Sequence, residues 1–370
     1  MGILAILATV AAIACSSWHC PPSTPAGRAF READGLFHRD PRWLGADGAL
    51  SVPLSEHRLL WLFGDTFVAT STQHVRSEAV IVRNTVAIQE GADPRTAAIA
   101  FHWRQDGSGM PASFFPERAG HWFWPGQGIR LAGGPLVIFL YAVSAAPGRD
   151  LGFAITGHAL AVIDNPDGPP PMWNLRLIDG PALAFDAVPA TALVQDGAHV
   201  VAVAIRQQGT HAGALVRYPA AFLEKGDVAS AQWWAGDSRG WVPTAALGAQ
   251  GPAFVMDDAG SECSLHWDQR TKSFIHIASY GFGASTIGLR TAPALTGPWS
   301  PPVVVYRPPE SAGKRPFVYA AKAHPALLGP SPADLVVTYA TNSFTFDDLL
   351  TAQGQRCLYW PRFIAVPLNR

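Results

Sequence analysis

Three features of the 370-residue sequence predict an all-β fold, a five-bladed β-propeller. Short apolar or alternating runs recur from about residue 30 onward, and hardly any segment keeps a helical period for a dozen residues. The 35 glycines and 32 prolines supply the turns between those runs. So many strands need an architecture that disposes of their edges, which leaves closed barrels, paired-sheet sandwiches and propellers. Blocks of roughly fifty residues favour the propeller, since a four-stranded blade takes about 40 to 50 residues.

Taken in order, the chain opens on Gly2 to Ala14, uncharged and mostly apolar, too short to cross a bilayer and about as long as a signal-peptide core. It lacks the usual basic front end, with no lysine or arginine before the run and Arg28 the first after it. Ala12-Ile13-Ala14-Cys15 resembles a bacterial lipobox, so residues 1–25 are expected to be an export signal and short linker. The mature protein is then secreted or held in the cell envelope, in one version by a lipid on Cys15. Residues 26–370 are expected to form one propeller domain, with 26–45 supplying a strand or clasp that closes the ring. Blades are placed at 50–110, 120–180, 188–245, 253–308 and 316–366. Their clearest strands are Arg58 to Val68, Glu78 to Gln89, Pro135 to Val143, Ser273 to Tyr280, Val303 to Tyr306, Leu335 to Thr341 and Cys357 to Val366, while 344–353 is the best helical stretch.

Charge narrows the partners. With 27 Lys+Arg against 28 Asp+Glu there is no net field to attract nucleic acid or an anionic membrane. The four cysteines show no metal-site spacing, and Cys263 and Cys357 read either as a disulfide of an exported protein or as two free thiols. The 13 tryptophans need burial with a satisfied indole N–H, or a flat ligand to stack on. Trp61, Trp267 and Trp299 are expected to pack between blades, with Trp122, Trp124 and Trp360 at a rim.

Propellers gather polar residues from the starts of their inner strands around one channel. Cleavage of a glycosidic bond needs two carboxyl groups there, one to protonate the leaving oxygen and one to activate water or attack the sugar. Asp65 stands where the apolar run Leu59 to Phe63 meets Gly64, and reads either as a strand-end turn residue or as one of that pair. Glu262 shares a strand face with Ser264, His266 and Asp268, and reads either as part of a solvated face or as the partner carboxyl, with Asp257 and Asp258 nearby. Arg83, Asn84, Lys322, His324 and Asn342 are candidate substrate contacts or pKa-setting neighbours, and Trp122 and Trp124 a candidate sugar platform. No metal set is visible, and a structural calcium in the channel stays compatible with the sequence.

The segments Trp61-Leu62-Phe63-Gly64-Asp65-Thr66, Arg83-Asn84-Thr85, Gly260-Ser261-Glu262-Cys263-Ser264, Leu295-Thr296-Gly297-Pro298-Trp299-Ser300, Lys322-Ala323-His324-Pro325 and Tyr359-Trp360-Pro361-Arg362-Phe363 together resemble the bacterial DUF4185 family, over roughly residues 50 to 366. That resemblance implies a five-bladed propeller related to arabinanase- and levansucrase-like glycoside hydrolases, some members being endo-D-arabinanases. It implies Asp65 as base or nucleophile and Glu262 as acid or partner carboxyl. A carboxylate in a matching motif of the second block is missing, since Asp150, Asp164, Asp167 and Asp179 fit none. The expected activity is therefore a monomeric glycoside hydrolase on a furanose-containing polysaccharide or oligosaccharide, with a non-catalytic carbohydrate-binding propeller as the alternative.

Overall fold

A computed structural model describes residues 26–368 apart from 119, 149–151, 282 and 284. The apolar run 2–14, Cys15, Cys20 and Asp150 lie outside the described residues. The fold is all-β, as expected, and its main antiparallel sheets follow one another in chain order. The first holds Leu50–Pro53, Arg58–Phe63, Thr85–Glu90 and Ala98–His102; the second holds Trp122–Arg130, Leu136–Ala145, Phe153–Ile163 and Leu175–Asp179. The third begins with Val188–Asp196, His199–Ile205, Gly213–Pro219 and Gln232–Trp234 and gains two further short strands. The fourth holds Cys263–Asp268, Ser273–Tyr280, Thr286–Ala292 and Val303–Tyr306. The fifth holds Pro316–Ala323, Asp334–Ser343 and Arg362–Pro367, and is completed by Arg28–Ala29 from the other end of the chain.

Each sheet's first strand packs on the first strand of the next, from the first sheet through to the fifth. A hydrogen bond between Ser51 Oγ and His324 Nδ1, 2.8 Å, ties the first sheet back to the fifth. The arrangement is propeller-like, and it accounts for strands that read as unbroken apolar runs. Leu59, Trp61 and Phe63 point into a core shared with Val336, Phe363 and Ala365, whereas Leu60 and Leu62 point into one shared with Ile138 and Leu140. A strand buried on both faces has no polar face to alternate with. Phe30, Leu36 and Phe37 of the opening segment fill the first of these cores, where the Phe37 ring meets Trp61 edge-on at 5.0 Å.

Some expected strands are divided. Arg58 to Val68 is two strands, Arg58–Phe63 and Thr66–Ala69, and Glu78 to Gln89 likewise becomes Ala79–Val82 and Thr85–Glu90. The outer halves join Trp43–Ala46 in a small separate sheet. The helical stretch becomes two short helices, Asp347–Leu350 and Ala352–Cys357, so the last strand begins at Arg362 rather than Cys357. Cys263 is buried and Cys357 exposed, and both are free thiols. Trp360 is buried rather than at a rim: it stacks on His38 and its indole N–H donates to the Gln355 carbonyl at 2.8 Å. Among the described residues no helix is long and apolar enough to cross a membrane.

Candidate active site

The divided strands build the site. Phe63 pairs with Thr85 and Thr66 with Val82, so the register runs unchanged across the break and sets Asp65 opposite Arg83. On the other side Ala46 pairs with Thr66 and Leu50 with Leu62, which sets Asp47 opposite Asp65. Asp47 N–H donates to the Asp65 carbonyl at 3.2 Å, and Gly64 N–H to the Asp47 carbonyl at 3.0 Å. Asp47, Asp65 and Arg83 therefore form a row across three neighbouring strands, and directly opposed residues project from the same face. Glycine is required at position 64, because a Cβ there would lie 2.1 Å from Asp47 Oδ1.

The Asp65 carboxylate is gripped from two sides. Arg83 Nη1 donates to one oxygen at 3.2 Å and Trp124 Nε1 to the other at 2.9 Å. Burial raises its pKa; the Trp124 and Arg83 contacts act the other way and offset part of the rise. The Arg83 guanidinium lies 4.4 Å from the centre of the Trp122 ring, a cation–π contact that aims it. Among the described residues Trp122 Nε1 is buried without a hydrogen-bond partner. Asp47 is more strongly perturbed: burial first, then the negative charges of Asp65 and Glu262, hold its carboxyl well above the usual range. Tyr319 and Tyr359 act against that rise, Tyr359 OH donating to Asp47 Oδ2 at 3.3 Å.

Glu262 enters at the head of the fourth sheet's first strand, where Lys322 Nζ stands 3.6 Å from its Oε1. Lys322 is itself buried, so this is an ion pair with one partner removed from water. Asn342 Nδ2 donates to Tyr319 OH at 3.4 Å and so supports the tyrosine facing Asp47. Asn84 and His324 are sealed in the interior. Asn84 binds the carbonyls of Phe115 and Phe123 and the N–H of Phe115, which fastens the loop before the second sheet. His324 has Ser51 on one ring nitrogen and Thr338 on the other, and burial pushes its pKa down to about 3. Among the described residues no group of His, Cys, Asp and Glu is gathered as metal ligands.

Asp47, Tyr319 and Tyr359 were not among the expected site residues. The signal for Asp47 was the turn Gly45-Ala46-Asp47-Gly48 before an inner strand, and the equal chain spacing of Asp47, Asp65 and Arg83. Tyr359 had no such signal, because a buried arginine brings it in. Arg76 donates to the carbonyls of Leu44, Leu349, Gly354 and Leu358, pinning the segment that ends at Tyr359. Tyr359 adopts φ 63°, a left-handed conformation uncommon for a bulky residue. Beside Arg83, a groove of about 470 Å³ runs along Val80, Val82, Arg104, Ser113 and Glu117.

The site is a row of two half-buried carboxyls and an arginine on a propeller-like all-β scaffold. Residues 31–367 match the family described as a domain of unknown function, DUF5005, and the chain belongs to that family. This corrects the resemblance to DUF4185, whose shared short segments do not decide membership against a match over nearly the whole chain. In structure the chain is similar to a candidate hydrolase from Bacteroides ovatus ATCC 8483, with 16% identity, a TM-score of 0.69, and 90% of this chain and 88% of that one covered. At that identity the likeness shows the fold alone. Lower matches include an exo-β-1,3-galactanase from Phanerochaete chrysosporium (11% identity, TM-score 0.49, 88% of this chain and 61% of that one). Another is an α-L-arabinofuranosidase from Lactobacillus brevis (13% identity, TM-score 0.47, 90% and 92%). No curated protein matches the sequence.

Proposed function

We propose that this chain is a glycoside hydrolase whose reacting pair is Asp47 and Asp65, carried on a five-bladed propeller. The observation that supports the pair is the cross-strand row, in which two adjacent carboxyls are given opposite surroundings. Asp47 is half-buried, faces two tyrosines and feels two negative charges; Asp65 is held by a cation and an indole N–H. Paired acids treated so differently divide into a proton donor and an anion. Asp47 is the donor to the leaving glycosidic oxygen, and Asp65 takes the proton of an attacking water or attacks the anomeric carbon itself. The charge of Glu262, itself paired with Lys322, adds to the rise at Asp47.

The substrate proposed is a furanose-containing polysaccharide, arabinan being the first to try. Purified protein is incubated with arabinans, fructans, galactans and xylans, and released oligosaccharides are separated by chromatography. Release that disappears in Asp65→Asn supports the reading; release unchanged by that substitution overturns the role of Asp65. Binding without release from any polymer favours a carbohydrate-binding protein instead. Export is proposed from the apolar run Gly2 to Ala14, and mass spectrometry of the mature N-terminus tests it.

A further inference from the structure

The first strand of the fifth sheet is irregular where it meets the site. Tyr319 pairs with Ala340 and Lys322 with Thr338, so Ala320 and Ala321 together oppose the single residue Tyr339. Residues three apart on a regular strand point to opposite faces, and the extra residue of this bulge returns Tyr319 and Lys322 to one face. Ala320 takes φ 55°, a left-handed conformation uncommon for a residue with a Cβ. The bulged strand is fastened to the fourth sheet: Ala321 N–H donates to Ser279 Oγ at 3.1 Å and Ala323 N–H to Ser264 Oγ at 2.8 Å. One strand thereby serves two acids, with Lys322 3.6 Å from Glu262 and Tyr319 facing Asp47.

The polarity of the contacts behind Tyr319 is fixed by the backbone. Ser343 N–H donates to Asn342 Oδ1 at 2.7 Å, which makes the other arm of that amide its NH2 group. Asn342 Nδ2 then donates to Tyr319 OH at 3.4 Å. A phenol oxygen that accepts on one side has its own proton to give on the other, and the group it acts on there is the Asp47 carboxyl. Other elements meet Asp47 as well: Asp65 and Glu262 add negative charge, and Tyr359 OH donates to Oδ2 at 3.3 Å.

We infer that Tyr319 is a positioning residue for Asp47: the relay from Ser343 N–H through Asn342 makes its phenol present a proton to the carboxyl and bars it from accepting the carboxyl's own. This rests on the glycoside hydrolase reading above and deepens it. The proton of Asp47 is thereby left for the leaving glycosidic oxygen. A donor facing the carboxyl also favours its anion, so Tyr319 makes Asp47 the readier acid when the bond breaks.

The test uses two variants of the full chain. Tyr319→Phe removes only the phenol oxygen, and Asn342→Asp keeps an acceptor for Ser343 N–H while replacing the donor to Tyr319 by a second acceptor. On the polymer that the wild type cleaves, both should move the alkaline limb of kcat/KM upward, because Asp47 loses a contact that lowers its pKa, and should reduce kcat by up to about tenfold with KM unchanged. A limb unmoved by Tyr319→Phe overturns the inference, since a ring that only fills space is retained in phenylalanine. A second measurement needs no turnover: in isotope-labelled protein the carboxyl carbon resonance of Asp47, assigned by its absence from Asp47→Asn, should titrate at higher pH in Tyr319→Phe than in the wild type. The same titration in both proteins overturns the inference and leaves the hydrolase reading standing. A wild type that cleaves no polymer overturns that reading, and the resonance still decides whether Tyr319 governs Asp47.

Discussion

The backbone N–H of Asp47 donates to the carbonyl oxygen of Asp65 at 3.2 Å, so the two acids are register neighbours on adjacent strands. Their carboxyls share one face, and the charge on Asp65 is one of the causes that raise the pKa of Asp47. The predictions below follow from that pairing and from what holds it.

Asp47→Asn should abolish hydrolysis and stabilise the fold at neutral and alkaline pH. A carboxyl whose pKa is raised in the folded state contributes stability that is complete below its unfolded pKa and lost as pH rises through the folded one. Above that window the wild type carries a half-buried charge beside those of Asp65 and Glu262, and the amide does not. Thermal melting across pH should show the variant more stable at high pH, with the difference vanishing in acid. The alkaline limb of kcat/KM in the wild type should fall in the same window.

Asp65→Asn should lower kcat by about 10²- to 10⁴-fold, the usual loss for a group that moves a proton or forms a bond in the reaction. Circular dichroism should be unchanged, since the Trp124 N–H can still meet the amide oxygen.

Arg83→Gln removes the cation that opposes the rise in the Asp65 pKa. Asp65 then holds its proton to higher pH, so the acid limb of kcat/KM should move upward. Trp124→Phe, which removes the other lowering contact, should move it the same way. A limb that stays put in both variants excludes Asp65 as the group it reports.

Arg76→Met should destabilise the protein by more than about 3 kcal/mol, because several buried carbonyls lose their donor at a cost of about 1–3 kcal/mol each. Denaturant titration measures this. Activity should fall at temperatures where the variant remains folded, since Tyr359 loses its support.

Asn84→Ala should be as harmful to stability and yet harmless to chemistry. It strands three backbone groups of Phe115 and Phe123, about 1–3 kcal/mol for each group left unsatisfied, and touches no reacting atom. Well below its melting temperature the variant should keep the wild-type kcat.

Much of the scaffold was legible because it is local. Ser273–Tyr280 and Val303–Tyr306 have the bounds that alternation and turns predict, and the main sheets follow the expected blocks in order, except that Phe254–Met256, expected in the fourth block, pairs in the third sheet. Arg58 to Val68 was read as one strand because a hydrophobic run continues through Gly64-Asp65, and nothing in the run itself says that the second half leaves for another sheet. Asn84 and His324 were read with the site because their residue types suit one. Their burial depends on Phe115, Phe123, Ser51 and Thr338, which are distant in the chain.

By itself the sequence determined the all-β class, the spacing of its main sheets and a carboxylate beside a glycine in a hydrophobic run, since hydrophobic period, turn residues and a glycine beside an acid act over a few positions. Tertiary structure alone decided that Asp47 stands beside Asp65, that Tyr359, on a segment pinned by a buried arginine, reaches Asp47, and that His324 faces the core. Those relationships depend on strand register and on segments hundreds of residues apart meeting, and no local pattern of residues encodes either.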